Sequence, residues 1–341
     1  MDSSRRHEQI SYHPYLVAFS GRMTPEAAGM LQRVAEALST EFQVGHARGP
    51  APGLVGRHYD MLENDIVLLE GAAGPDTPTV LLLDEEGRCD DAPETPATVI
   101  ATVGAGPSMA GLQVPHHRPD DVAGLAASIR SHLLSLASRT PLYGLVLAGG
   151  ASRRMGRPKW ALEYHGEPHA LYLSRLLAPH CDRVYLSINA EQQSEPALVG
   201  RPHLVDRFVE VGPLGGILTA MTAHPGAGWL VLACDLPFVR AETVERLLGE
   251  RAPLRFATSY RSPHDGLPEP VCTIYEAKAR LRLFQVLALG HDCPRKMLLN
   301  SRIGLVTSVD EDELVNANHV ADYERALGRI RVAEQGVSTQ S

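Results

Sequence analysis

The chain has 341 residues and a mass of 36.9 kDa, with 44% hydrophobic and 21% charged residues. That composition excludes a disordered, collagenous or disulfide-scaffold protein and leaves room for two domains. The net charge of −8 is lopsided, because residues 1–140 carry all of it while residues 141–341 are neutral, which argues against a nucleic-acid binder with a basic footprint.

No apolar run approaches the roughly 18 residues of a membrane span, and the charged stretch 1–10 has no apolar signal core. The five cysteines are widely spaced and form no C-x-x-C pair, so reduced thiols and a cytoplasmic setting are expected, without membrane or nucleic acid as partners. Of 32 basic residues only three are lysines, Lys159, Lys278 and Lys296. An arginine-favouring genome accounts for the shortage, and each exception is worth locating.

Strand-like apolar runs alternate with helix-period segments along the whole chain, which predicts an α/β protein with mostly parallel sheets between helices. In the first half, 15–19, 66–69, 79–83 and 98–103 read as strands, and 26–38 and 120–136 as helices. Loops rich in Gly, Pro and acidic residues separate them. A boundary is expected near residue 140. In the second half the strands are 142–147, 183–188, 229–233, 255–260 and 271–275. The helices are 171–177, 214–222, 241–248, 278–288 and 320–327, with Lys278 expected on an exposed helix face. Residues 332–341 are polar and expected to form a flexible tail.

The most informative segment is L-V-L-A-G-G-A-S-R-R-M-G-R-P-K over residues 145–159. A buried strand runs into two adjacent glycines, Gly149 and Gly150, whose missing Cβ atoms let backbone N–H groups approach a phosphate. Arg153, Arg154 and Lys159 follow, with charge suited to polyphosphate oxygens. The spacing is not that of a Walker A loop. A turn alone would explain the glycines; it would not explain Arg154, Gly156 and Lys159 at their offsets.

This string resembles the signature of the nucleotidyltransferase family that includes molybdenum cofactor guanylyltransferase, and further segments match in order: S-I-N-A at 187–190, L-V-D at 204–206, G-P-L-G-G at 212–216, C-D-L-P at 234–237 and V-N-A-N at 315–318. The resemblance covers residues 142–330 and implies a Rossmann-like nucleotidyltransferase fold. It implies that Leu147, Ala148, Gly149, Gly150, Lys159, Asn189, Asp206, Gly212 and Asp235 bind nucleotide, and that Asn316 and Asn318 lie on the acceptor side. Asp235 is implied to bind Mg²⁺, and Arg154, Lys159 and Asp235 to carry the chemistry. The implied reaction transfers GMP from GTP to the phosphate of molybdopterin, releasing pyrophosphate, with a molybdoenzyme or its chaperone as a further partner.

Two segments stay open. G-L-P-E-P at 266–270 is either an acceptor-side loop or a rigid strand entry, and C-P-R-K at 293–296 either sets Arg295 and Lys296 on an anionic pterin phosphate or starts a helix. The nucleotide is also divided: Gly149-Gly150 resembles the guanylyl branch, whereas Pro158 before Lys159 resembles the cytidylyl branch. GTP is favoured. CTP, or a non-catalytic module that delivers cofactor, are the alternatives.

Residues 12–136 more faintly resemble the P-loop GTP-binding adaptor that partners the guanylyltransferase, through D-I-V-L-L-E-G at 65–71. The phosphate loop itself is missing: F-S-G-R-M-T-P-E stands at 19–26, and residues 1–140 contain no lysine. A degenerate P-loop-like domain over 1–140, without GTP hydrolysis, is therefore expected ahead of a nucleotidyltransferase domain over 141–331. Asp65 and Glu70 read equally as strand-end residues and as remnants of a metal site.

Overall fold

A computed structural model describes residues 15–48, 63–71, 76–93, 96–149, 157–308, 310 and 312–338, and it divides into unit 1, Met1–Arg139, and unit 2, Thr140–Ser341. Unit 1 begins with β1 (Leu16–Ser20), all five residues of which are buried, so both faces of the sheet are covered there. Thr24 caps α1 (Pro25–Ser39) by accepting from Ala27 N at 3.2 Å, and Pro25 supplies a first-turn residue that needs no N–H partner. The chain continues through β2 (Val44–Arg48), β3 (Ile66–Glu70), β4 (Thr79–Leu82), β5 (Val99–Val103), β6 (His116–His117) and α2 (Val122–Ser138). The sheet order is β2-β3-β1-β4-β5-β6 and every pair is parallel. Helices α1 and α2 pack on each other, and each has one buried stripe, Met30, Leu31, Val34 and Leu38 on α1 and Leu125, Ile129 and Leu133 on α2.

Asp65 and Glu70 lie at opposite ends of β3. Asp65, fully buried, accepts from Gln43 N at 3.0 Å and so ties the start of β3 to the entry of β2. Glu70 lies at the other end, 2.8 Å from His46 Nε2.

Unit 2 comprises β7 (Leu142–Leu147), α3 (His169–Leu177), β8 (Arg183–Ile188), β9 (His203–Val205), α4 (Pro213–Ala223), β10 (Gly228–Ala233) and α5 (Ala241–Gly249). It continues with β11 (Ala257–Arg261), β12 (Pro268–Tyr275), α6 (Ala279–Ala288), α7 (Arg295–Leu299), β13 (Ile303–Thr307) and α8 (Val320–Ser338). The sheet order is β13-β11-β12-β10-β7-β8-β9, parallel except for β12, which is antiparallel to both neighbours. Only residues 262–267 join β11 to β12, too few for the crossover that a parallel pair needs.

Strand residues alternate between two cores, as a period of two requires. Val146, Leu230 and Leu232 pack with Leu173 and Leu177 of α3 and Val244 and Leu247 of α5. Leu145, Trp229 and Val231 pack with residues of α4, α6 and α7 on the opposite face. The result is a three-layer α/β/α unit, the class that the alternating pattern predicts.

Three features differ from the sequence expectation. The short strands β2, β6 and β13 were not expected, because V-G-H-A-R, H-H and I-G-L-V-T are too polar or too glycine-interrupted to stand out as apolar runs. Helix α8 runs on to Ser338 where a flexible tail is expected from residue 332; once a helix is nucleated, the ordering of each added residue is offset by one hydrogen bond. Lys278 is buried, not exposed: its Nζ donates to Leu254 O at 2.6 Å and lies 4.4 Å from the centre of the Phe256 ring.

Candidate nucleotide site

In unit 2, β7 has β8 on one side and β10 on the other, so the strand order turns round at its C-terminal end, where open parallel sheets form a ligand crevice. Among the described residues, the loop leaving β7 is held by three hydrogen bonds. Ala148 N donates to Ser187 O at 2.9 Å, Gln192 Nε2 donates to Ala148 O at 2.9 Å, and Asn189 Nδ2 donates to Gly149 O at 3.3 Å. Asn189 also caps the 3-10 turn Ala190–Ser194, accepting from Gln192 N at 3.0 Å while Gln192 Oε1 accepts from Asn189 N at 2.8 Å.

Two glycines are required by close approach. A Cβ on Gly149 would lie 2.7 Å from Asp206 Oδ2 and 3.2 Å from Asn189 N, and one on Gly216 would lie 2.3 Å from Ser187 Oγ. Ser187 Oγ in turn donates to Asp206 Oδ1 at 2.6 Å. Burial raises the Asp206 carboxyl above its ordinary range, against the lowering effect of that hydrogen bond. Gly212 is exposed at the entry to α4, just before Pro213.

A second group forms where β10 ends. Lys159, on the 3-10 turn Lys159–Ala161, donates from Nζ to Asp235 Oδ2 at 3.3 Å and to Asn318 Oδ1 at 2.6 Å. The main chain joins the same two segments, Ala317 N donating to Asp235 O at 2.8 Å. Side chains of Lys159 and Asp235 retain 24% and 21% exposure, enough to meet a ligand. Asp235 Oδ1 is buried and has no hydrogen-bond partner among the described residues. The two groups adjoin through the sheet, where Leu147 registers with Ala233 and Leu147 O accepts from Cys234 N at 3.4 Å.

The remaining expected site residues divide as follows. Gly150 and Arg154 lie outside the described residues. Asn316 is exposed on the segment that carries Asn318. Lys296 is exposed on α7, and no described contact brings it to Lys159, Asp235 or Asn318. Its neighbour Arg295 is engaged by carboxylates, with Nη1 2.8 Å from Asp265 Oδ2 and Nη2 3.5 Å from Glu269 Oε2.

Residues 144–303 match the model of the MobA-like NTP transferase domain. A molybdenum cofactor guanylyltransferase of Pseudomonas putida F1 is 30% identical over 183 residues, which cover 53% of this chain and 95% of that protein. The chain belongs to the MobA-like NTP transferase family.

A molybdenum cofactor biosynthesis bifunctional protein of Synechocystis is 40% identical over 186 residues, and the aligned part is 54% of either chain, so the match spans about half of that relative's length. A solved structure, molybdopterin-guanine dinucleotide biosynthesis protein A of Archaeoglobus fulgidus, is 24% identical with a TM-score of 0.46, and the alignment covers 55% of this chain and 97% of that one.

Three further buried residues of the MobA-like unit border the site: Gln192 and His169, which the sequence expectation did not include, and Glu269 of the G-L-P-E-P segment. Gln192 is 7% exposed and fastens the loop carbonyl of Ala148; the N-x-x-Q capping pattern of 189–192 was a legible signal for it. Glu269 is buried at the start of β12 within electrostatic reach of Asp235, and its carboxyl is pushed up chiefly by burial and pulled back by Arg295. Behind Asp235 lies His169, completely buried, whose pKa burial depresses to about 3. It is neutral at physiological pH. Nothing in the local sequence marks it, because its partner is a main-chain carbonyl 67 positions away.

Proposed function

We propose that the chain transfers GMP from GTP to the phosphate of molybdopterin, releasing pyrophosphate, in molybdenum cofactor biosynthesis. The observation that carries this reading is the meeting of Lys159, Asp235 and Asn318 at the C-terminal mouth of β7 and β10. In the reaction an acceptor-phosphate oxygen forms a bond to the α-phosphorus. The bond from that phosphorus to the bridging oxygen breaks, and pyrophosphate leaves with the electron pair. A phosphate nucleophile already ionised at neutral pH needs no general base. Holding two polyanions together is the main task, so positioning and charge neutralisation dominate.

The backbone around Ala148 and Gly149 would bind the nucleotide beside Asn189 and Asp206, Lys159 would neutralise β- and γ-phosphate oxygens, and Arg154 would assist the leaving group. Asn316, Asn318 and Lys296 would face the acceptor. Asp235 fits a Mg²⁺ ligand: it is a hard carboxylate whose Oδ1 lacks a described partner, and Mg²⁺ commonly takes one or two protein carboxylates together with water and phosphate oxygens. When bound, Mg²⁺ supplies charge neutralisation at the phosphates.

No helix among the described residues is long and apolar enough to cross a membrane, and five free thiols support a reducing, cytoplasmic setting. Product would pass to a molybdoenzyme or its chaperone. Unit 1 is read as a degenerate adaptor-like domain without NTP hydrolysis, supported by the absence of lysine from residues 1–140.

Pyrophosphate release from ATP, CTP, GTP and UTP with molybdopterin as acceptor tests the reading. Release is expected with GTP. Preference for CTP would reassign the nucleotide, and no release with any of the four would refute nucleotidyl transfer.

A further inference from the structure

The loop that carries Asp235 is pinned through its main chain to an unusual extent. Asp235 O accepts from Ala317 N at 2.8 Å, and three of the next four carbonyls meet side chains. Leu236 O lies 3.1 Å from His169 Nε2, Pro237 O lies 3.3 Å from His165 Nε2, and Val239 O accepts from Tyr172 Oη at 3.3 Å. All three side chains come from one segment, 165–172, which lies a few residues beyond Lys159. They also stack: the His165 and Tyr172 rings are 3.9 Å apart at 17°, and the His169 and Tyr172 rings 5.7 Å apart at 14°.

A carbonyl oxygen can only accept, so both histidines must carry their proton on Nε2. That leaves His169 Nδ1 buried with no partner among the described residues, in a position that is 0% exposed. An apolar side chain would fill the space without leaving a buried nitrogen unpaired. The imidazole is explained by what its other nitrogen holds.

We propose that His165, His169 and Tyr172 are positioning residues: they clamp the 236–239 main chain to the segment that begins with Lys159, and so fix the Asp235 carboxylate relative to the Lys159 ammonium. The inference rests on the reading of Asp235 as the metal-binding carboxylate. The clamp touches neither nucleotide nor metal and acts only through the loop. The consequence is specific, because a loosened loop weakens metal use before it weakens the fold.

The experiment compares the full-length wild type with His169→Phe and His169→Gln, the latter keeping a donor near the Nε2 position. Deuterium exchange of the 233–240 amides is expected to be about fivefold faster in His169→Phe, with the rest of unit 2 unchanged. The Mg²⁺ concentration for half-maximal pyrophosphate release is expected to rise about tenfold, in the range seen when an outer-shell partner is lost. His169→Gln should return both values towards wild type. Unchanged exchange in His169→Phe overturns the clamp, and so does faster exchange with an unchanged Mg²⁺ requirement, which would mark a merely structural contact. Should His169→Phe not fold, His165→Ala at a partly exposed position is read by the same two measurements. A wild type that releases no pyrophosphate would overturn the nucleotidyl-transfer reading alone, and exchange at 233–240 would still decide whether the three side chains hold the loop.

Discussion

The two units place the end of a central parallel strand in opposite circumstances. In unit 2 the chain leaving β7 opens onto Lys159, Asp235 and Asn318, charged or polar side chains that remain partly exposed. In unit 1 the chain leaving β1 turns against its own neighbours. Ser20 Oγ donates to Asp91 O at 2.7 Å, and Cys89 Sγ lies 3.7 Å from Ser20 O. Gly21 sits at φ +124° where a Cβ would come within 2.5 Å of Leu82 O. A parallel sheet offers a crevice at its switch point, yet the residues that follow the strand decide whether it receives a ligand or is filled by the chain itself.

The sharpest way to break that contrast is to remove one carboxylate from each unit. Asp235→Ala and Lys159→Ala are each expected to lower the rate of pyrophosphate release by 10²–10³ or more, on the order of losing a group aimed at transition-state charge. Glu70→Ala, at the end of β3 in unit 1, is expected to leave the rate unchanged. Wild-type turnover in Asp235→Ala would remove the metal assignment, and a large loss in Glu70→Ala would show that the filled crevice takes part after all.

A smaller effect separates the two strand-end glycines. Gly149→Ala would press on Asp206 and on the Asn189 main chain, and should reduce kcat/KM by about a hundredfold through misplacement of the nucleotide loop. Gly21→Ala should instead destabilise unit 1 by about 1–3 kcal/mol, read from denaturant melts, because a non-glycine residue is strained at that φ. Pyrophosphate release should be unaffected by it. A reversal of the two outcomes would mean that the functional crevice has been placed in the wrong unit.

The last effect, confined to acid pH, is in the pH dependence of stability. His169 titrates near 3 when folded, below the value of about 6.5 in an unfolded chain. Above pH 6.5 both states are neutral and the contribution is fully present. As pH falls below 6.5 the unfolded chain takes up a proton that the folded chain refuses, so stability falls by up to about 1.4 kcal/mol per pH unit until pH 3. His169→Gln should flatten that slope between pH 6 and pH 4 in urea titrations, and an unchanged slope would mean that another group is responsible.

Much of unit 2 was legible from its residues. The strand ahead of the glycine loop stands out because buried parallel strands are continuous apolar runs, and the C-D-L-P and V-N-A-N segments stand out through their resemblance to the nucleotidyltransferase family. The short strands β2 and β13 were not legible, since each is recognised only by its hydrogen-bonded neighbour. Nor was the ion pairing of Arg295 with Asp265 and Glu269, which withdraws that guanidinium from the acceptor role considered for the C-P-R-K segment.

The sequence by itself determined the α/β class and the family to which unit 2 belongs, because these follow from local periodicity and short-range motifs, and it offered candidates for a nucleotide site. Tertiary structure alone decided which of them meet. Lys159, Asp235 and Asn318 are separated by 76 and 83 positions, and only strand order brings them within hydrogen-bond reach. It also decided that Lys278 is buried beneath a carbonyl and an aromatic ring, and that a histidine with no motif of its own holds the Asp235 loop. Contacts between side chains and distant main-chain carbonyls leave no periodic trace in the sequence, so packing reveals them and patterning does not.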